Sequence, residues 1–389
     1  MRKVLHINTI DTGGAAIAAI RLHNLLLKNG FESKILFLFR SNKVTIEGSY
    51  YFEDLFKVKA WFNFVVKLNI LFNRKLTFYK PDIYFNGHQS LFDLSKHPLF
   101  EWADVVHLHW VVKFLDWRKV FKHSNKKFLW TFHDMNPFTG GEHYKIGYDG
   151  SYSWQSKLVL NKKKQYIVNV DLTVICPSQW LANLVSLSIV FLNKKIVVLR
   201  NPIPNDIFKP IDKTLLYGKY PKILPNRIKI LFVAENPRDI RKGFDVLLRG
   251  LKNINNKEVF QLLIIGKIGV ELNLNDINTL EFGEIVDSIK MAEIYNLADY
   301  YIIPSLEDNL PNTVSESLLC GTPVIGFNIG GIPEMVLNNK NGFIAENEIE
   351  LSVIIENLEL HLFDSFEVNK YVLTDLSENV ILEKYLRLI

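Results

Sequence analysis

Cysteine is nearly absent from this 389-residue chain. Cys176 and Cys320 are too few for a disulfide framework, and without a Cys-x-x-Cys pair no structural zinc is expected. Asp-x-Asp does not occur either. No run of 18 apolar residues is present, which argues against a membrane-spanning helix. The chain opens on MRKVLHIN, a charged pair and a short strand-like run where a signal peptide would carry a longer apolar stretch, so the expected location is the cytosol. Heptads, a solenoid period and low-complexity tracts are also missing, leaving an ordinary globular composition of two or three domains.

What is present is unevenly distributed. Residues 1–200 carry 28 Lys and Arg against 14 Asp and Glu, a net charge of +14, whereas 201–389 carry 18 against 27, a net of −9. A split of this size marks two separate units, and it offers the basic one to an anionic partner. Apolar runs of four to eight residues alternate with helical segments in both halves, the grammar of parallel strands buried on both faces. VLHIN (4–8), DTGG (11–14) and the helix 15–29 closed by Gly30 form the first unit of that pattern, and strands are predicted at 35–39, 104–110, 127–133, 172–176 and 195–199. After a Pro-rich stretch near 200–225 the pattern resumes at IKILFVAE (228–235). Two doubly wound Rossmann-like α/β domains are therefore predicted, with ligands in a cleft at the carboxyl ends of their strands.

The most informative segment is PSLEDNLPNTVSESLLCGTPVIGFNIGGIPEMV (304–336). A loop with two carboxylates, Glu307 and Asp308, leads through Pro311 into a helix ended by Gly321, and the amides near Asn312 and Thr313 suit a phosphate at a positive helix end. Glu316 is placed to accept hydrogen bonds from sugar hydroxyls. Asp308-x7-Glu316, then Cys320-Gly321-Thr322-Pro323-Val324 and Gly330-Gly331-Ile332-Pro333-Glu334, resembles the signature of glycosyltransferase family 4, retaining enzymes of the GT-B fold. The resemblance implies that Glu316 binds the nucleotide ribose and that Asp308, or Glu307 beside it, binds hydroxyls of the transferred sugar. RKGFDVLL (241–248) resembles the family's Lys-Gly-x-Asp element, which assigns Lys242 to the donor diphosphate, and Glu235 stands where the family has an Arg, so Arg238 or Arg241 is left to substitute.

In the first half, Gly13-Gly14 matches the glycine pair that relatives place against the donor pyrophosphate or the acceptor. WTFHDMNPFTGGEHY (130–144) is similar to a bacterial capsule and exopolysaccharide subgroup of the colanic-acid type, and the resemblance implies that His133 contacts the transferred sugar. His107 and His109 alternate on one strand and so face one side, where they either line an acceptor pocket or pack in the core.

Residues 56–80 combine six cations with Trp61, Phe62 and Phe64 and no acid, and Lys162-Lys163-Lys164 adds charge nearby. This composition suits either an interfacial helix on an anionic membrane or a cationic face over a helix that packs on its own sheet. No nucleic-acid motif accompanies it, so no nucleic-acid partner is expected. The expectation is thus a cytosolic, peripherally bound, retaining glycosyltransferase of polysaccharide biosynthesis. It would use a nucleotide-diphosphate sugar and a glycan or lipid-linked acceptor, and the resemblance to GT-B enzymes, together with the absence of Asp-x-Asp, implies neither a metal nor a cofactor. An acceptor domain, 1–203 joined by a helix at about 376–389, would precede a donor domain, 204–375. The rivals are a GT-B sugar-nucleotide epimerase and a non-catalytic glycan or membrane-surface binding protein.

Overall fold

The computed structural model describes residues 2–41, 45–75, 86–122, 125–144, 154–267, 277–361 and 363–389. The chain divides into two compact units, Met1–Pro202 with Ile381–Ile389, and Ile203–Val380.

The first unit runs β1 (Val4–Asn8), α1 (Gly14–Lys28), β2 (Ser33–Phe37), β3 (Ser49–Tyr51), α2 (Lys59–Lys75), α3 (Pro98–Trp102), β4 (Val105–Leu108), α4 (Trp117–Phe121), β5 (Lys127–Thr131), α5 (Trp154–Ile167), β6 (Leu172–Cys176), α6 (Gln179–Ser186) and β7 (Lys195–Val198). Its seven strands are all parallel, in the order β3-β2-β1-β4-β5-β6-β7. Strand alternation divides the core. Leu5, Ile7, Val106, Leu108, Phe128 and Trp130 pack on one face, and Val4, Val105 and Leu129 pack on the other against Leu22 and Leu25 of α1 and Ile381 and Tyr385 near the C-terminus. His6 and His107, paired in register on β1 and β4, occupy the second face between those apolar positions.

The second unit contains α7 (Thr214–Tyr217), β8 (Ile228–Val233), α8 (Phe244–Lys252), β9 (Phe260–Ile265), β10 (Asn278–Gly283), α9 (Ser288–Leu297), β11 (Tyr300–Ile303), α10 (Asn312–Leu319), β12 (Val324–Phe327), β13 (Gly342–Ala345), α11 (Glu348–Glu356) and α12 (Ser365–Leu376); α13 (Glu378–Leu386) then carries the chain back into the first unit's core. Six parallel strands are ordered β10-β9-β8-β11-β12-β13. Strand order reverses between β1 and β4 in one sheet and between β8 and β11 in the other. The loops leaving those strands bound the crevice where open α/β sheets take ligands.

Several elements differ from the sequence prediction. β5 stops at Thr131, so His133 lies two residues past the strand it was expected to end, because the chain turns at Phe132 into the 134–144 loop. Pro311 caps α10 from outside, with an extended backbone at φ −62° and ψ 125°, where the first helical turn was expected. Lys163, in the run of three lysines that adds charge to the basic half, is fully buried. Short or polar strands β3, β10 and β13 carried no apolar run to announce them.

Candidate active site

In the second unit the site is built from two loops at the switch point. After β8 the chain reaches a short turn ending in Gly243, whose φ of +64° opens α8. After β11 comes the 304–311 loop and then α10. The two loops are stitched together: the Leu306 amide donates to the Arg241 carbonyl at 2.7 Å, and Lys242 Nζ donates to Asp308 Oδ2 at 2.6 Å. Glycine is required on both flanks of this loop. A Cβ on Gly243 would lie 1.8 Å from the Pro304 carbonyl oxygen, and one on Gly330 would lie 1.7 Å from that of Asp308. Backbone thus approaches backbone at each end, which only glycine permits at positive φ.

Of the predicted donor residues, Lys242 and Asp308 face one another at this loop, both partly exposed, while Glu307 is buried. Arg241 pairs with Asp239, and the exposed Arg238 sits in the same turn, its amide donating to Asn236 Oδ1 at 3.1 Å. Asn312 and Thr313 open α10, and Glu316 lies buried one turn further on.

Two tyrosines below α10 were not foreseen. The fully buried Tyr295 donates its hydroxyl to Glu316 Oε2 at 3.1 Å, and Tyr301 donates to Thr313 Oγ1 at 2.8 Å. Their rings meet edge to face at 5.9 Å. Burial, with the Glu316 carboxylate next in effect, drives the Tyr295 phenol well above its usual pKa, so it is a permanent donor. This pair fixes the side chains of two predicted donor residues from behind. Tyr295→Phe should therefore raise the donor KM about fivefold and leave kcat within about twofold, for a loss of about 1 kcal/mol. An unchanged donor KM in steady-state assays would count against the brace.

The first unit presents Gly13, Gly14 and His133. Gly13 adopts φ +86° as the cap of α1, so the turn after β1 depends on glycine. His133 lines a small cavity with His109, Trp110, Trp117, Asp134 and Asn136. Behind it Asp134 Oδ2 accepts from His143 Nδ1 at 2.6 Å and from Trp110 Nε1 at 2.9 Å, and Asn136 Nδ2 donates to the carbonyls of Asn86 and Gly141. Burial would raise the Asp134 carboxyl, but the imidazole of His143 and these donors reverse that and hold it low. Lys163 closes the network, donating to the Asn136 and Thr139 carbonyls, with Trp117 beneath its ammonium at 5.3 Å.

Burial pushes Lys163 down to about 7, against the pull of Glu142 and Asp134. Between pH 7 and the ordinary lysine value the unfolded chain holds a proton that the native state lacks, so stability rises with pH in that window. All seven tryptophans lie at or before Trp180, so their fluorescence reports the first unit. The unfolding free energy read this way from urea titrations should rise from pH 7 to pH 9, by roughly 2 kcal/mol at most, and the rise should vanish in Lys163→Met. A variant with the wild-type slope would refute the assignment to Lys163.

His6, His107 and His109 each place a ring nitrogen within 4.8 Å of the others, and among the described residues this is the one group able to gather around a metal. The rings do not radiate from a centre. His107 and His109 lie nearly parallel with centroids 4.2 Å apart, and both nitrogens of His107 are engaged, by Tyr385 Oη at 2.9 Å and Thr131 Oγ1 at 2.8 Å. The arrangement fits a hydrogen-bonded core better than a coordination sphere.

Part of the chain is similar to known proteins, and its fold is shared by others. Residues 227–359 match the model of the family described as glycosyl transferases group 1, the span that holds Lys242, Asp308 and Glu316. The capsular polysaccharide biosynthesis glycosyltransferase CapM of Staphylococcus aureus is 26% identical over 156 residues, 38% of this chain and 40% of CapM. The N-acetyl-α-D-glucosaminyl L-malate synthase of Bacillus anthracis is 26% identical over 161 residues, 40% and 41% of the two chains. The matches thus span about two fifths of these relatives' length. Among solved structures, sucrose-phosphate synthase of Thermosynechococcus elongatus superposes with a TM-score of 0.71 at 17% identity, covering 100% of this chain and 98% of its own. Anabaena HepE in complex with UDP-glucose does so with 0.66 at 12% identity, covering 100% and 99%. The fold of the two Rossmann-like units is GT-B.

Proposed function

We propose that this protein is a retaining glycosyltransferase of polysaccharide biosynthesis, moving a sugar from a nucleotide-diphosphate donor to a glycan or lipid-linked acceptor. The observation that carries the reading is the set Lys242, Asp308 and Glu316, held at the β8/β11 switch point inside the region that matches the family model. Lys242 provides the cation for a diphosphate, and Glu316 provides acceptor oxygens for ribose hydroxyls. Asp308 does the same for the transferred sugar. Departure of the nucleotide builds negative charge on its phosphate, and a fixed ammonium lowers the energy of that step. In this reading the first unit receives the acceptor. The test is incubation of the purified chain with UDP-, GDP-, ADP- and dTDP-sugars. Release of nucleotide from one donor is expected; interconversion of the donor sugar without release would favour an epimerase, and inertness toward all of them a binding protein.

The same proposal places the protein on an anionic membrane surface through α2. Of the 56–80 segment, residues 76–80 lie outside the described residues, and α2 covers Lys59–Lys75. Its outward face carries large apolar side chains beside the charged ones. Phe62, Asn69 and Asn73 face inward, with Asn69 Nδ2 donating to the Lys113 carbonyl at 2.7 Å and its Oδ1 accepting from the Leu91 amide at 2.9 Å. Outward lie Trp61, Phe64, Leu68 and Leu71 at near-helical spacing, with Trp61 58% exposed and stacked on Phe64, and Leu55 and Val58 are exposed just before the helix. Lys57, Lys59 and Lys67 add positive charge to the same segment, so apolar contact and headgroup attraction act together. Among the described residues no helix is long and apolar enough to cross a membrane. The chain should float with vesicles containing about one third phosphatidylglycerol, and a Trp61→Ser/Phe64→Ser/Leu68→Ser variant should lose at least about tenfold in partitioning. Equal flotation of the variant would remove the membrane from the proposal.

A further inference from the structure

Three imidazoles form a chain through the core of the first unit. His6 Nδ1 and His109 Nε2 share a hydrogen bond at 3.1 Å, and His109 Nδ1 and His133 Nε2 share one at 3.3 Å. His109 spends both nitrogens in the chain. At the inner end His6 Nε2 is buried with no hydrogen-bond partner among the described residues. At the outer end His133 lines the cavity, and its Nδ1 makes no hydrogen bond among the described residues.

Counting protons decides the polarity of this chain. Burial holds His6 and His109 well below the usual histidine value and brings His133 to about 4, so near neutral pH each ring carries one proton. Two hydrogen bonds use two of the three protons, and the third must sit at one end. Were the chain to run inward, that proton would be on His6 Nε2, a buried N–H with nothing to receive it. Orphaned buried donors are the rarer and costlier kind of unsatisfied group. Running outward, His6 Nδ1 donates to His109 Nε2, His109 Nδ1 donates to His133 Nε2, and the third proton rests on His133 Nδ1, beside the cavity where a ligand or water can accept it. What remains buried is then only an unpaired lone pair on His6.

We propose that His6 and His109 are positioning residues which lock His133 in the Nδ1–H form, so that His133 offers its cavity ligand a neutral hydrogen-bond donor and no basic nitrogen. The ligand atom it suits is an uncharged oxygen, a sugar hydroxyl or an amide carbonyl. This deepens the glycosyltransferase reading and rests on it only for the identity of that ligand: His133 orients a sugar oxygen and does not abstract its proton.

The test is long-range ¹H–¹⁵N correlation on the full chain with ring-¹⁵N histidine, with the His133 signal identified by its loss in His133→Asn. The Nδ1–H form, which is the minor one in free histidine, is expected for His133, His109 and His6 alike. His133 in the Nε2–H form in the wild-type protein would overturn the proposal without recourse to any variant. In His6→Phe, which keeps a ring in the core, His133 should relax toward a mixture of tautomers; an unchanged spectrum would also overturn it. With an active donor in hand, kcat should show no pH dependence assignable to His133, and His6→Phe should lower kcat about threefold to tenfold at unchanged fold by circular dichroism. Absence of turnover with every donor would sink the glycosyltransferase reading while leaving the tautomer measurement standing.

Discussion

Lys242→Ala should lower donor turnover by about 10²–10³-fold, the cost of removing one fixed charge from a departing phosphate. The geometry separates this loss from simple destabilisation. Lys242 and Asp308 form a single partly exposed ion pair at 2.6 Å, with side chains 31% and 16% accessible, so the pair itself contributes no more than about 1 kcal/mol to folding after solvent screening. Removal of Lys242 leaves Asp308 as an unopposed carboxylate at the place proposed for a diphosphate, and its repulsion adds to the lost attraction. A Lys242→Ala/Asp308→Asn double variant should therefore recover part of the donor affinity but little of kcat. Melting followed by circular dichroism should show both variants folded. Full activity in Lys242→Ala would remove Lys242 from the site, and with it the principal support for the donor assignment. Lys242→Arg is informative too: a guanidinium keeps the charge but is bulkier, and intermediate activity is expected where the ammonium acts as a point charge.

The framework was legible because its strands are buried on both faces and so read as apolar runs: VLHIN, LTVIC and KIVVL appear in the structure at or within a residue of the predicted positions. The predicted donor residues were legible for a different reason, since they fall on two short segments, 241–248 and 304–336, whose glycines and prolines mark the turns. What escaped was long-range. His6, His109 and His133 lie on or beyond three different strands, and nothing local in VLHIN shows that its histidine faces His109, 103 residues away. Tyr295 reads as one more apolar position of a helix and Tyr301 as one of a strand, although their hydroxyls serve Glu316 and Thr313. Lys163 sits in a run of three lysines that locally resembles any solvated face. Only α5 packing on the 134–144 loop reveals that the middle one points inward, and Gly140 permits that packing because a Cβ there would lie 2.4 Å from the Ser156 Cβ.

Gly330→Ala should be the most damaging small substitution in the second unit. Two costs add. The φ of +56° is unfavourable for alanine by about 1 kcal/mol, and the new Cβ would fall 1.7 Å from the Asp308 carbonyl oxygen. That oxygen belongs to backbone, so no side chain can rotate away. The 308–309 and 330–331 segments must separate, breaking the bond from the Gly331 amide to the Asn309 carbonyl and drawing Asp308 off Lys242. A loss of about 3 kcal/mol or more is expected, with activity falling along with stability. Gly283→Ala is the matched control in the same unit: its φ is +67°, yet none of the described residues lies within 4 Å of the added Cβ, so only the conformational cost of about 1 kcal/mol applies. Because every tryptophan is in the first unit, urea unfolding of the second is followed by far-ultraviolet circular dichroism, with tryptophan fluorescence recorded in parallel for the first. The Gly330→Ala midpoint should drop well below that of Gly283→Ala in the dichroism signal. Equal midpoints would mean that the loop bearing Asp308 yields without cost, and the rigid placement of Asp308 against Lys242 would then have to be abandoned.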